Sequence, residues 1–150
     1  MKIKNKKAFF NYEISDTFEA GIVLTGAEVK SIKSGRINLS DAYVKIIGGE
    51  LWLVNGDIPK YQFDGSINYD SKRSRKLLVT GKELVQINAK LKQKNFTLIP
   101  VSVYTSRGKI KVEVGFGRGK KNYEKKRVEK ERDLERELLY VIAPSSSFDN

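Results

Sequence analysis

Residues 109–127, KIKVEVGFGRGKKNYEKKR, change character halfway along their length. Ile110, Val112 and Val114 alternate with charged residues, which is the period of a strand with one buried face. Three glycines then interrupt the alternation, and a run of lysines and arginines follows. The pattern predicts that a packed domain ends near this point and that a flexible basic exit leads into a charged tail.

The same alternation recurs upstream in short stretches, at residues 17–24, 42–47, 50–54, 75–80 and 97–105. Gly48 and Gly49 join two of these strands in a tight hairpin, and Pro100 requires an edge or a bulge. About six short strands with few helices predict a small antiparallel barrel of the oligonucleotide-binding type, closed to hide its edges. An open α+β sheet is the alternative. Trp52, the only tryptophan, is expected in the core.

Two copies of one helix-start motif predict the flanking helices. Thr25 with Glu28, and Thr80 with Glu83, have the spacing of a capping box, in which each side chain bonds a backbone amide of the other residue. The first helix is short and stops at Gly35. The second carries an apolar stripe at positions i, i+3 and i+7. Two or three flanking helices are therefore expected, in addition to a C-terminal tail.

Three regions lack a strand period. Residues 1–7 are expected to be a mobile basic arm, and residues 55–74 a long loop, which inside a compact domain is usually functional or mobile. Residues 124–140 are mostly charged, and the tail at 124–150 carries only a thin apolar stripe. Because an isolated helix of that kind is marginal, we expect a folded domain at 1–123 and a tail that becomes helical on its target. A helix docked permanently on the barrel is the alternative.

Charge and composition narrow the function classes. The chain has 29 Lys and Arg against 18 Asp and Glu, a net charge of +11, which favours nucleic acid or an anionic membrane as partner. It contains no cysteine and no histidine, so the commonest metal ligands and the commonest neutral-pH acid–base group are missing. No apolar run approaches the roughly 20 residues of a membrane span. We expect a cytoplasmic protein without a cofactor.

The motif GFGRGKK at 115–121 invites comparison with a phosphate loop. Its glycine spacing is one residue short, and Lys121 stands where that loop needs Ser or Thr. Nucleotide hydrolysis is therefore rejected. Arg118, Lys120 and Lys121 are interpreted as contacts to RNA phosphates instead. Neither an acid pair nor a nucleophile with its base stands out, so an enzyme is unsupported.

Four stretches together resemble the bacterial SsrA-binding protein (small protein B) family: EAGIVLTGAEVKS at 19–31, SDAYVKI at 40–46, RKLLVT at 75–80 and GRGKKNYEKKR at 117–127. The match is collinear over nearly the whole chain. It implies an oligonucleotide-binding-type barrel, a tail that is disordered in free solution, and no enzymatic activity. It also implies binding of transfer-messenger RNA (SsrA RNA) by a monomer, and its delivery with elongation factor Tu and GTP to stalled ribosomes in trans-translation.

The resemblance assigns residues as well. Those implied to contact the tRNA-like domain of the RNA are Tyr12, Glu19, Arg75, Lys76, Leu78, Thr80 and Lys111. Those implied to face the small ribosomal subunit and its decoding centre are Arg118, Gly119, Lys120, Lys121, Tyr123, Glu124, Lys125 and Lys126. The apolar tail positions implied to enter the vacant mRNA path are Leu134, Val141 and Ile142. In chemical terms, Lys111 attracts phosphate, Glu19 accepts from base or sugar donors, and Leu78 packs apolar surface.

Two other classes stay open on the residues alone. A general ribosome-associated structural protein would carry a similar basic tail. A membrane-surface protein would use the tail as an amphipathic helix, but mixed acidic and basic residues give it a weak apolar face.

Overall fold

The computed structural model describes residues 1–93 and 95–120. The elements are β1 (Lys2–Lys4), α1 (Lys6–Asn11), β2 (Tyr12–Ile22), α2 (Gly26–Lys33), β3 (Tyr43–Ile47), β4 (Glu50–Val54), β5 (Arg75–Leu78), α3 (Gly81–Gln93), β6 (Thr97–Ser106) and β7 (Lys109–Gly119). The mainly β prediction with flanking helices is confirmed. By internal contacts the chain divides into Met1–Arg118 and Gly119–Asn150.

Within the described residues, six strands close into a ring in the order β6, β3, β4, β5, β2, β7 and back to β6. The pairings with defined register are antiparallel, for example Val44 opposite Leu53 and Val103 opposite Val112. β1 adds to β6, with Ile3 opposite Val103. The predicted antiparallel barrel is therefore confirmed. Closure removes the exposed edges that an open sheet of these short strands would present.

The interior of the barrel is filled by alternate residues of each strand. Leu51, Leu53 and Leu77 are 2% exposed or less, as strand alternation requires of one face. The prediction that Trp52 lies in the core is wrong. It lies between Leu51 and Leu53, so its indole is on the outer face of β4, where it is half-buried. Ile32 of α2 and Ile87 of α3 pack onto this core.

β7 continues through the three glycines that were expected to interrupt it, and ends at Gly119. A Cβ on Gly115 would lie 2.7 Å from Cγ2 of Ile14 and 2.9 Å from Cγ2 of Val101. A Cβ on Gly117 would lie 3.1 Å from Cδ1 of Ile14. Gly115 and Gly117 are therefore required by the packing of the neighbouring strands, whereas nothing lies within 4 Å of a Cβ at Gly119. Pro100 lies beside a register shift in the β6–β7 pairing, so its predicted bulge is confirmed.

The N-terminal residues are ordered, so the predicted mobile arm is wrong. The buried side-chain amide of Asn5 donates to the carbonyl oxygens of Leu39, at 3.1 Å, and Pro100, at 2.9 Å. The backbone amide of Asn5 donates to Val101 O at 2.8 Å. These bonds hold β1 against β6 and position α1. Neither β1 nor α1 was predicted from the sequence. The three residues of β1, in which one isoleucine lies between two lysines, are too few to indicate a strand by alternation.

The long loop at 55–74 is confirmed as a segment without helix or named strand. It is held to the barrel by buried charges. Arg75 is fully buried and donates to Glu28 Oε2 at 2.8 Å, Gly56 O at 2.8 Å and Ser71 O at 3.0 Å. The hydroxyl of Tyr69 donates to Ile58 O at 2.7 Å. The loop is thus fixed at both ends by one guanidinium.

Candidate nucleic-acid interface

A groove of about 370 Å³ between β2, β5, β7 and α2 brings Leu78 and Lys111 together. Leu78 is 50% exposed, which is unusual for a leucine in a strand. Its partner across the β2–β5 ladder is Gly21, which has no side chain to cover it. Glu19 lies two residues before Gly21 and is therefore on the same outer face of β2. Three predicted site residues thus come from three strands to one outer face.

The side chain of Tyr104 organises the polar end of this face. Its hydroxyl donates to the Glu19 carboxylate, and the residue stands directly opposite Lys111 in the β6–β7 ladder. The ammonium of Lys2 lies 5.9 Å from the centre of its ring. Burial, together with the neighbouring Glu19 and Glu113 carboxylates, raises the pKa of Tyr104 to about 12. At neutral pH Tyr104 is therefore a hydrogen-bond donor that orients Glu19.

Sequence reasoning did not find Tyr104, since its role depends on strand register. The residue lies at the end of a stretch already predicted to be a strand, but nothing in the stretch says which residue of β7 or β2 it meets. The opposed pairing with Lys111 supplies that information.

Arg75, another predicted RNA contact, has a structural role. The guanidinium of Arg75 is fully buried, so it offers no surface to a ligand and is not part of the interface. Burial alone would raise the pKa of Glu28, but hydrogen bonds from Arg73, the Thr25 backbone and Arg75 outweigh it and lower that pKa to about 2. The buried cluster is therefore an ionised carboxylate between two guanidinium groups, and it stabilises the fold.

Thr80 caps α3, as its motif predicts. Its hydroxyl accepts from the amide of Glu83 at 3.1 Å, and its own amide donates to the Glu83 carboxylate at 3.0 Å. Hydrogen bonding of the Glu83 carboxylate to the Thr80 backbone and side chain lowers the pKa of Glu83. The matching box at Thr25 and Glu28 is also formed. The exposed Thr80 lies two residues beyond Leu78, where it fixes the start of the helix.

Lys76 and Tyr12 are not among the residues that line the groove, although Lys76 is on the same face of β5 as Leu78, two residues before it. Lys76 is on the outer face of β5, opposite Trp52, and its ammonium is 3.5 Å from the Glu50 carboxylate. Tyr12 begins β2, nine residues before Gly21, which is about 30 Å along an extended strand. It lines a second groove of about 250 Å³ near α1. The structure therefore separates the predicted RNA contacts into two places.

At the end of β7 the exposed guanidinium of Arg118 lies 5.7 Å from the ring centre of Phe96. That ring meets Phe116 edge to face at 5.8 Å, and the ammonium of Lys90 lies 4.6 Å from the centre of Phe116. Arg118 is thus oriented by a cation–aromatic stack. Gly119 is exposed and Lys120 half-buried. The remaining predicted ribosome contacts lie outside the described residues: Lys121, Tyr123, Glu124, Lys125, Lys126, Leu134, Val141 and Ile142.

Within residues 1–93 and 95–120, no group of three or more acidic, histidine or cysteine side chains could hold a metal ion. None of the helices formed by these residues has the length and apolar character that crossing a bilayer requires.

Comparison with known proteins gives a consistent result. The family model described as SmpB protein matches residues 2–143. A curated SsrA-binding protein of Dehalococcoides mccartyi is 50% identical over 134 residues, which cover 89% of this chain and 78% of the relative. That of Chlamydia pneumoniae is 48% identical over 140 residues, 93% of each chain. A chain in the solved structure described as "tmRNA-SmpB: a journey to the center of the bacterial ribosome" has a TM-score of 0.67 and 40% identity, covering 81% of this chain and 85% of that one. The chain belongs to the SmpB protein family.

Proposed function

We propose that the chain binds transfer-messenger RNA through its outer face at Glu19, Leu78 and Lys111, and delivers that RNA to stalled ribosomes in trans-translation. The observation that carries the proposal is the convergence of these three side chains from β2, β5 and β7 on one face. The names of the relatives, which refer to SsrA RNA, support it. So does the related solved structure, whose description names tmRNA, SmpB and the bacterial ribosome.

The three side chains supply different kinds of contact. Lys111 attracts a phosphate, and the Glu19 carboxylate, held by Tyr104, accepts from a base amino group or a ribose hydroxyl. Leu78 offers apolar surface to a sugar or an unstacked base. The function is one of binding and delivery and not of catalysis.

The remaining parts of the proposal rest on the family. The tail at 124–150 would enter the vacant mRNA path, with Arg118, Gly119 and Lys120 near the small subunit. Elongation factor Tu with GTP would join through the RNA. The chain would act as a monomer in the cytoplasm, where its ribosomal partner works.

The test is affinity for the isolated tRNA-like domain of transfer-messenger RNA. We expect Leu78→Ala and Lys111→Ala each to weaken binding by roughly tenfold, about 1.4 kcal/mol. Lys111→Ala should also reduce the log–log salt slope by about 0.7–0.9 because one phosphate contact is lost. Matched controls on α3 are Val85→Ala, an apolar residue that is 70% exposed, and Lys92→Ala, an exposed lysine.

Equal affinities for the groove variants and their controls would overturn the assignment of this face. A structured RNA of the same length but unrelated shape serves as the second control. If it bound as tightly as the tRNA-like domain, the chain would be a general ribosome-associated RNA-binding protein. A chain ending at Tyr123 should keep its RNA affinity and lose ribosomal tagging, and equal loss of both would contradict the proposed division of labour.

A further inference from the structure

Two lysines flank the tryptophan on the outer face of the barrel. Lys45 stands directly opposite Trp52 in the β3–β4 ladder, and Trp52 stands directly opposite Lys76 in the β4–β5 ladder. Adjacent strands are about 4.8 Å apart, so the two lysines lie on strands about 10 Å apart with the indole between them. Their strand neighbours Val44, Leu51, Leu53 and Leu77 are buried, which leaves the row on the outside.

Aromatic and basic side chains continue beyond this row. Tyr43 lies two residues before Lys45 on the same face of β3 and is 40% exposed. The groove of about 250 Å³ near α1 joins Tyr43 to Tyr12 and the exposed Lys7. We call these six residues the β3–β5 track: Lys7, Tyr12, Tyr43, Lys45, Trp52 and Lys76.

The track is not uniformly basic. Asp41 also lines the groove near α1, and the Glu50 carboxylate is paired with Lys76 at 3.5 Å. Charge alone therefore gives the track a weak attraction for any polyanion. Its distinctive feature is that aromatic side chains are interspersed with ammonium groups, which suits a chain that alternates bases with phosphates.

We propose that the β3–β5 track is a second RNA-binding surface, which takes single-stranded RNA by stacking bases on Trp52 and Tyr43 and by holding phosphates with Lys45 and Lys76. The inference rests on the proposed RNA-binding function but uses different residues from the groove. Lys76 lies two residues before Leu78 on the same face of β5. The track therefore adjoins the groove. When the structured part of an RNA is bound in the groove, a single-stranded segment that extends from it reaches Trp52.

The single tryptophan makes the test direct in the unmodified full chain. Trp52 emission, excited selectively, is followed while an unstructured RNA of about 12 nucleotides is added, a length within the range bound by one such barrel. We expect saturable quenching and reduced access of acrylamide to the indole. Polyglutamate of the same charge should protect the indole much less, because it offers no bases to stack.

Three results would overturn the proposal: unchanged Trp52 emission when the RNA binds, no binding of the single-stranded RNA, or equal protection by polyglutamate, which would mark an acidic protein or simple charge as the occupant. Failure here is distinguishable from failure of the proposed function. If the tRNA-like domain still binds, only the track is wrong; if it does not, the proposed function fails.

Variants provide an independent readout. Trp52→Ala should weaken binding of the single strand by about fivefold or more, and Trp52→Phe by less, since the smaller ring still stacks. Lys45→Ala should lower the log–log salt slope by about 0.7, whereas Lys92→Ala should leave it unchanged. Glu50→Gln should tighten binding because it releases Lys76. Circular dichroism establishes that each variant is folded, and a folded Trp52→Ala variant with wild-type affinity would contradict the stacking role.

Discussion

Arg75 and Lys76 are adjacent basic residues on β5 with opposite environments. The Arg75 guanidinium is fully buried and bonded to Glu28, Gly56 and Ser71. The Lys76 ammonium is on the outer face, in a partially exposed ion pair with Glu50. Strand alternation sends one inward and the other outward. Two neighbouring positive charges therefore lie in different environments: the first stabilises the fold, and the second is on the surface, where we propose that it contacts RNA.

The same contrast separates the loop at 55–74 from the groove at Leu78 and Lys111. The loop is tied down by charges that satisfy one another in the interior. The groove carries charges whose partners are other surface groups, as with Glu19 and Tyr104. Basic residues in such a chain therefore do not all serve the same purpose, and the count of 29 Lys and Arg overstates the number available to RNA.

The largest effect on the free energy of unfolding is expected when the buried cluster of Arg75 and Glu28 is broken. Arg75→Ala leaves the Glu28 carboxylate without its main buried partner, so we expect a loss of about 3–5 kcal/mol in the free energy of unfolding. Lys76→Ala should change that free energy by no more than about 0.5 kcal/mol. Urea denaturation of both variants measures the difference. Equal stabilities would refute the distinction between inner and outer basic residues.

A second prediction concerns pH. The pKa of Glu28 is lowered to about 2 in the folded chain from 4.5, so its ionisation contributes stability above the unfolded pKa. That contribution is lost as the pH falls from about 4.5 to about 2, and amounts to roughly 3 kcal/mol. Unfolding free energies measured across this range should show the loss in the wild type. A Glu28→Gln variant should lack this part of the pH dependence, and an unchanged profile in the variant would show that other carboxylates cause it.

A smaller effect is expected from the crossing of β2 and β7. Gly115→Ala places a Cβ within 3.0 Å of Ile14 and Val101, so overpacking should cost about 1–3 kcal/mol. Gly65→Ala is the matched control, because nothing lies within 4 Å of a Cβ at that position. Thermal unfolding compares the two. If the Gly115→Ala variant were as stable as the control, β2 and β6 would accommodate the added methyl group at no cost in free energy, and the packing requirement would be contradicted.

Much of the fold follows from local patterns. Both capping boxes, the Gly48–Gly49 hairpin and the bulge beside Pro100 form as predicted, because each depends on a few neighbouring residues. β1 and α1 were not predicted, because they are held in place by hydrogen bonds from the Asn5 side chain to Leu39 and Pro100, which are distant in sequence.

The site was harder to predict than the fold. In RKLL both leucines are apolar, so the sequence does not say whether Leu77 or Leu78 faces inward, and Arg75 takes the same face as Leu77. The tertiary structure resolves this, with Leu77 2% and Leu78 50% exposed. Tyr104 needed the β6–β7 register, which no local pattern supplies. Residues that act through pairing across strands are therefore the ones that sequence reasoning misses.

The most direct test of the account is a residue-resolved map of backbone amide shifts on addition of the tRNA-like domain. We predict large changes at Glu19, Leu78 and Lys111, with Arg75 and the loop at 55–74 essentially unchanged. The central claim is that residues on the outer face of the barrel bind RNA, whereas the buried charges stabilise the fold. Changes confined to that loop, with the outer groove unaffected, would contradict it.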